Sequence, residues 1–416
     1  MTDRNRKKAE LLAPAGDYEK LEIAIHFGAD AVYLGGKDFN LRNFSGNFSL
    51  TELEAAITYA HKRNVRVYLT LNTYPRASDI PAIRDYLKKI SRVPPDAIIL
   101  ADPGVFMLTR SIAPHIPVHL STQANTTHAD AARFWRQLGA KRINAAREMS
   151  IAEVREIAAV RGIEVETFVH GAMCIAYSGR CLLSSYLTGR DSNRGHCAHT
   201  CRWGYALVEE TRPGQYLPIE EDSHGSYILS AKDLCMIEHV DDLLDAGVSS
   251  LKIEGRMKGI HYLSTVVKTY RDAIDGYYRR PNGYRPKTEW LDELSRINYR
   301  GYGTGFYYGS KSDIQAAYHG SLPVTRNYLI GKIIKRVDLQ TVAVDVRDRI
   351  GLGDAVVVFR GKGSPKAARI NALYDAEGRP TAAVSAGDRV IAVLSCDCKP
   401  NDLLRRPAAL LQDATI

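Results

Sequence analysis

From residue 9 to residue 255 the chain repeats one pattern. A short apolar run rich in β-formers is followed by an amphipathic stretch of helical period, and then by another apolar run. The runs are "ELLAP", "AVYLGG", "VRVYLTLN", "AIILAD", "PVHLST", "RINAA", "EVETFV", "YILSA" and "SLKIEG". Stretches such as "LTELEAAITYAHKRN" and "SIAEVREIAAVRG" separate most of them. The second opens on Ser150 with Glu153 three residues on, the spacing of a helix capping box. Such alternation predicts a parallel sheet with crossover helices, and eight or nine strands in roughly 250 residues suit a closed, TIM-like (β/α)8 barrel. An open doubly wound sheet is the alternative, but no G-x-G-x-x-G follows the first run.

A barrel gathers the C-terminal ends of its strands on one face, where active sites sit. Asn72, Asp102, Gln123, Arg147, His170, Lys232 and Glu254 all stand at or just after an apolar run. Polar residues end strands in any protein, because loops are wet. Their convergence on one face is what makes these seven candidates.

The 416 residues suit two or three domains. Residues 1–278 make the expected barrel domain, with a Tyr-, Arg- and Gly-rich connector over 279–326. Beyond it, over 327–416, the helical period disappears. "YLIGKIIKRV", "TVAVDVRD", "DAVVVFRG", "ARINALYD" and "RVIAVLS" alternate with turn signals such as "GLGD" and "AEGRP", which predicts a small all-β barrel. The opening "MTDRNRKKAELLAPAG" lacks the apolar core of a signal peptide, and no stretch reaches the ~20 apolar residues of a membrane helix. A cytoplasmic protein with no membrane partner is expected. The net charge of +9 suits a polyanion, and RNA is the obvious one.

Seven cysteines are an odd count in a compartment that keeps thiols reduced, so a disulfide framework is not expected. Cys174, Cys181, Cys197 and Cys201 are separated by six, fifteen and three residues, and Cys235 follows after a gap of thirty-three. Zinc ribbons use pairs of tight C-x2-C knuckles, and none occurs here. Wide, uneven gaps better fit an iron–sulfur cluster held between loops. Burial as small hydrophobes and a thiol nucleophile paired with His170 are the alternatives. Cys396 and Cys398, in "SCDC", point to opposite faces if that segment is a strand, and are taken as structural. Arg and Tyr interleave in "DGYYRRPNGYRP" and "NYRGYGTGFYYGS". Such tyrosines can stack on RNA bases or pack a domain seam.

Several stretches together resemble one family. They are "LLAPAGDYEKLEIAIHFGADAVYLGGKDFNLRNFSGNF", "STQANTTHADAARFWRQLGAKRINAAREMS", "ETFVHGAMCIAYSGRCLLSS", "SAKDLC", "LKIEGRMK" and "GTGFYYG". The chain is identified on these as similar to the collagenase-like peptidases, peptidase family U32. Despite the family's name, the resemblance implies oxygen-independent hydroxylation supported by a [4Fe–4S] cluster. One branch hydroxylates the wobble uridine of tRNA with prephenate as hydroxyl source, another makes 5-hydroxycytidine in ribosomal RNA, and a third acts on a ubiquinone precursor. Length and the single C-terminal β module resemble the tRNA branch, with a peptidase as the alternative.

The family pattern places the cluster ligands on Cys174, Cys181, Cys197 and Cys235, with Cys201 as an alternative ligand. "HCAHTCRW" departs from the Gln-Pro that the family often shows there. Expected roles follow. Arg147, Lys252 and Arg256 suit the two carboxylates of prephenate, unless they form an ion-pair network around Glu254. Gln123 and Asn72 would contact substrate, Glu254 and Lys252 would take part in catalysis, and His170 would shuttle a proton or support the cluster loop, if it is not simply a core histidine. A paired family member or a second copy is a further expected partner.

Overall fold

The computed structural model describes residues 8–41, 46–174, 176–203, 206–208, 216–218, 232–297, 299, 301–308 and 328–407. Eight parallel strands close into a barrel: β1 (Glu10–Pro14), β2 (Ala31–Gly35), β3 (Arg66–Thr70), β4 (Ala97–Leu100), β5 (Val118–Leu120), β6 (Arg142–Asn144) and β7 (Glu164–Ala172), completed by a strand at Ser250–Ile253 that pairs with both β7 and β1. These coincide with eight of the nine apolar runs. "YILSA" lies outside the described residues. Between β7 and the closing strand come a short hairpin, β8 (Ala206–Val208) with β9 (Tyr216–Pro218), and β10 (Asp233–Cys235), so the closing strand is β11. β10 runs antiparallel along the end of β7 and pairs on its other side with β12 (Tyr302–Gly303).

The strands read as continuous apolar runs because both faces are buried, the outer by helices and the inner by the barrel's own packing. Every residue of β2 and β4 is buried. The helices start where the sequence supplies caps. Asp17 caps α1 (Tyr18–His26), and Ser49 with Glu52 forms a capping box on α2 (Leu50–His61). α3 (Ile80–Ile90) follows, and Asp102 caps α4 (Pro103–Ile112). α5 (Ala129–Leu138) precedes α6 (Ile151–Ala158), where the Ser150–Glu153 box is present as predicted. α7 (Leu183–Thr188) lies in the long excursion after β7; α8 (Val240–Asp245), α9 (Ile260–Arg279) and α10 (Thr288–Leu294) complete the set used below.

The lower half of the barrel interior is held by ions. Arg142, 2% exposed, donates to Glu10 at 2.6 Å, to Glu164 at 2.6 Å and to Glu166 at 3.3 Å. Tyr68 and Ser250 also donate to Glu10, at 2.7 and 2.9 Å. Burial alone would raise the Glu10 pKa, but Arg142 and Arg66 hold it below the usual carboxylate range.

The C-terminal part is a closed six-stranded antiparallel barrel, in the order β13 (Leu329–Arg336), β14 (Thr341–Val346), β19 (Arg389–Leu394), β17 (Lys366–Tyr374), β16 (Ala355–Phe359) and β20 (Leu403–Arg405). A two-strand pair, β15 (Ile350–Gly351) with β18 (Ala383–Val384), lies beside it. Cys396 and Cys398 are both buried in its core. It docks on α1, α9 and α10. Phe359 stacks on Phe27 at 5.2 Å, His26 meets Asp402 at 2.7 Å, and Arg405 reaches Thr265 at 2.6 Å and Glu293. Most tyrosines of the predicted Tyr/Arg stretches pack rather than project. Tyr284 stacks on Trp290, and the buried Tyr307 donates to the Phe168 carbonyl at 2.6 Å. No helix among the described residues is long and apolar enough to cross a membrane.

Candidate active site

At the C-terminal ends of the barrel strands lies a cavity of about 170 Å³. Its strand-end walls include Asn72, Gln123, Arg147, Lys252, Glu254 and Arg256; the excursion after β7 contributes Cys174, Cys181, Cys197 and Cys201. Four of the seven strand-end candidates, Asn72, Gln123, Arg147 and Glu254, therefore meet Lys252, Arg256 and four of the predicted thiols in one place.

Each strand-end side chain has a definite setting. Arg256, 3% exposed, donates to Thr70 at 3.1 Å, to Asn40 at 3.3 Å and to Asn47. Its guanidinium occupies the space above Gly35, where a Cβ would lie 2.4 Å from Nη2. Lys252 is bound to Glu166 at 2.8 Å and stands 4.5 Å from the Tyr33 ring centroid. Arg147 lies 4.2 Å over the Phe168 ring and 3.9 Å from Glu254, a loose ion pair. The network expected around Glu254 is thus divided, with Arg147 facing Glu254 and Lys252 facing Glu166. A register shift between Lys252 and Ile253 in the β11–β7 pairing accompanies this division.

Gln123 is oriented by a chain of bonds. The Leu41 N–H donates to Asn72 Oδ1 at 3.4 Å, and Asn72 Nδ2 donates to Gln123 Oε1 at 3.2 Å, which also accepts from Ser121 at 3.1 Å. Among the described residues, Gln123 Nε2 is left buried with no partner, as is Asn144 Oδ1 on the same cavity wall. A buried donor and a buried acceptor that lack partners are costly unless a ligand satisfies them.

The thiol-bearing loop is tied down at several points. It leaves β7 at Gly171, whose φ of +110° and 2.5 Å approach of the Glu254 carbonyl to a built Cβ exclude a side chain. Ser178 (φ +48°) donates its N–H to Glu148 at 2.5 Å and its hydroxyl to Asn125 at 2.6 Å. Arg180 donates to Tyr74 Oη and to the Gln123 carbonyl, each at 2.7 Å. The Cys181 carbonyl accepts from Ser192 at 2.5 Å and from Asn193 at 3.1 Å, while the Cys181 N–H donates to Asn193 at 3.2 Å. The His199 N–H donates to Cys197 Sγ at 3.4 Å. Burial raises the Cys174 pKa, and the neighbouring Cys181 and Cys197 add to the rise against the pull of Arg147. Among the described residues no three His, Cys, Asp or Glu side chains converge closely enough to hold a single metal ion.

Two predicted site residues are placed elsewhere. His170 is 1% exposed and ringed by Tyr262, Tyr270 and Tyr302 at 5.8, 5.6 and 5.4 Å. Burial pushes its pKa down to about 3, so it is neutral at pH 7 and sits in the core, not on the cavity wall. Cys235 pairs with His170 across β10 and β7 and belongs to the apolar core. Its sulfur is 3.9 Å from Tyr270 Oη, and burial pushes its pKa up to about 12. Cys201, expected as the alternative ligand, lines the cavity, and Cys235 does not.

Asp102 is a helix cap, accepting from the Val105 N–H at 2.9 Å. The anchors Glu148, Ser178, Asn125 and Asn193 were missed. Ser178 takes the left-handed conformation in "YSGR".

Fold and cleft together define a (β/α)8-barrel protein with a thiol-lined pocket on its catalytic face and a small β-barrel docked on its flank. The chain belongs to peptidase family U32, whose family model matches residues 16–317. It is 39% identical over 373 residues to tRNA hydroxylation protein P1 of Bacillus subtilis, covering 89% of this chain and 88% of that one. It is 35% identical over 398 residues to tRNA hydroxylation protein P of Escherichia coli, covering 86% and 87%. A 23S rRNA 5-hydroxycytidine synthase of Escherichia coli is 31% identical over 358 residues, covering 85% of this chain and 52% of that one.

Proposed function

We propose that this chain is an RNA hydroxylase that forms 5-hydroxyuridine at the wobble position of tRNA, with prephenate as the hydroxyl source and a [4Fe–4S] cluster bound by Cys174, Cys181, Cys197 and Cys201. The carrying observation is that four thiols of one anchored loop face the same cavity as the strand-end cations. The names of the relatives point the same way. The donor set fits a cluster better than a single ion. In a cluster each thiolate binds a different iron, so the sulfurs stand further apart than around one metal. When bound, the cluster supplies one-electron chemistry, or fixes the loop over the pocket.

The wall residues divide the remaining work. Arg147, loosely engaged with Glu254, is the cation best placed for a prephenate carboxylate, and Arg256 extends that wall. Lys252 is already committed to Glu166 and acts on the field of the pocket rather than as a clamp. Gln123 Nε2 donates to a uracil carbonyl, and Asn144 Oδ1 accepts from the ring N–H. Replacing C5–H by C5–OH with hydroxide released from the prephenate C–O bond frees one proton and two electrons: Glu254 takes the proton, and an external two-electron acceptor is the further co-reactant. His170 has no part in this assignment. A single-stranded anticodon loop presents its base to such a pocket at low unstacking cost.

The test is nucleoside mass spectrometry of tRNA from a host stripped of its own 5-hydroxyuridine-forming activities and supplied with this chain. Restored 5-hydroxyuridine-derived nucleosides that vanish when prephenate synthesis is blocked are the expected result. An iron-loaded protein that restores none refutes the activity.

A further inference from the structure

The outer surface of the cysteine loop is apolar where a soluble surface should not be. On the short helix α7, Ser184 faces inward and is fully buried. Its hydroxyl donates to the Arg190 carbonyl at 2.7 Å and accepts from the Ala198 N–H at 3.0 Å. Two residues further on, about 200° around the helix, Tyr186 is 87% exposed. Leu182 is 76% exposed and Tyr177 56% exposed on the same loop. α7 packs against the turn Thr200–Arg202, and Trp203 follows directly, 48% exposed. Large rings left bare together mark a surface that something covers.

We propose that this lip is a stacking platform for the unpaired nucleotides that flank the target base, with Tyr186 and Trp203 each taking a base face. The inference rests on the reading that the substrate is RNA. Three features favour RNA over a protein partner. The exposed rings share their loop with Arg180 and Arg190, and aromatic rings beside arginines are the pattern that holds single strands. The platform is continuous with the cavity, since Cys181 precedes Leu182 and Cys201 lies two residues before Trp203. It is also rigid, because Ser184 ties α7 to the residue after Cys197, while Ser192 and Asn193 bind the Cys181 backbone. A base stacked there stands at a fixed offset from the thiol pocket, because the backbone that carries the rings is already held.

The experiment measures the affinity of anaerobically purified, iron-loaded full-length protein for an anticodon stem-loop RNA, by anisotropy over a range of salt. Tyr186→Ala and Trp203→Ala should each weaken binding roughly 5- to 100-fold. Tyr186→Phe and Trp203→Phe should stay within about twofold of the parent, because a ring face is kept. The slope against salt should not change, since no charge is removed. The chain has three tryptophans, so RNA should quench part of its fluorescence, and Trp203→Phe should remove that quenching. If the parent binds RNA while the alanine variants bind equally and quenching survives Trp203→Phe, the platform is overturned and the RNA reading stands. A parent that binds no RNA overturns both. If sedimentation shows an RNA-free dimer that Tyr186→Ala dissolves, with RNA affinity unchanged, the face belongs to a second copy and the platform is again overturned.

Discussion

Replacing Cys201 should strip the protein of iron, and replacing Cys235 should not. The two thiols differ in setting. Cys201 is half-buried and lines the cavity with Cys174, Cys181 and Cys197. Cys235 is 7% exposed, packed in the core beside Tyr270. With its pKa pushed up to about 12, removing the Cys235 proton costs about 4 kcal/mol more than for an ordinary thiol. Bringing that sulfur to the cavity would further require β10 to leave β7, breaking the pairing of Cys235 with His170. Cys235→Ala, by contrast, deletes one small buried group, at about 1 kcal/mol. The assay is iron and sulfide per chain, with the visible absorption band, on oxygen-free preparations of the five single variants. Cys174→Ala, Cys181→Ala, Cys197→Ala and Cys201→Ala should fall far below the roughly four irons of a full cluster. Cys235→Ala should keep them. Iron lost from Cys235→Ala and retained by Cys201→Ala would refute the placement.

Two further predictions concern the barrel interior. Arg142→Met leaves Glu10 and Glu166 buried with weaker compensation, and should cost about 3–5 kcal/mol in denaturant unfolding. The pH dependence fixes the sign. In the parent, the depressed Glu10 pKa adds stability that is present above the unfolded value of 4.5 and is lost as pH falls through the folded one. In the variant, burial prevails and Glu10 takes up its proton earlier, so the gap between the two proteins should narrow as pH drops from 7 to 5. A gap independent of pH would show that the cost is packing alone. Gln123→Leu keeps volume but removes the Nε2 donor, and should lower kcat/KM for uridine hydroxylation roughly 10- to 100-fold with the iron content unchanged; an unaltered rate would exclude Gln123 from base recognition.

The barrel was legible because a strand buried on both faces cannot hide its composition. "AVYLG" and "AIIL" have no polar position, and the capping box at Ser150 marks where a helix begins. What sequence could not separate was the direction each strand-end residue faces. Asp102 and Gln123 follow their strands in the same way, yet one turns back to cap α4 and the other turns in to the pocket. His170 and Cys235 carry the residue types of a catalytic site, but β10 lies against the end of β7 and seals both among tyrosines. No spacing rule reports an antiparallel strand appended to a parallel barrel. The anchors of the thiol loop were silent for a related reason. Ser178 and Glu148 meet across thirty residues of chain, and neither belongs to a motif with a fixed period.

Glu166 joins the two halves of the barrel interior. It accepts from Arg142 below at 3.3 Å and from Lys252 above at 2.8 Å, so the stabilising network and the pocket share a carboxylate. Lys252 cannot clamp an incoming carboxylate without exposing Glu166 to an unbalanced buried charge, which costs more than one new surface pair returns. Arg147 is less committed, since at 3.9 Å from Glu254 it makes no close ion pair. The division of roles between two cations on either side of β7 thus follows from which carboxylate each one faces. Lys252 lies within β11, in register with Phe168 of β7, whereas Glu254 stands just past the strand's end, beside the cavity.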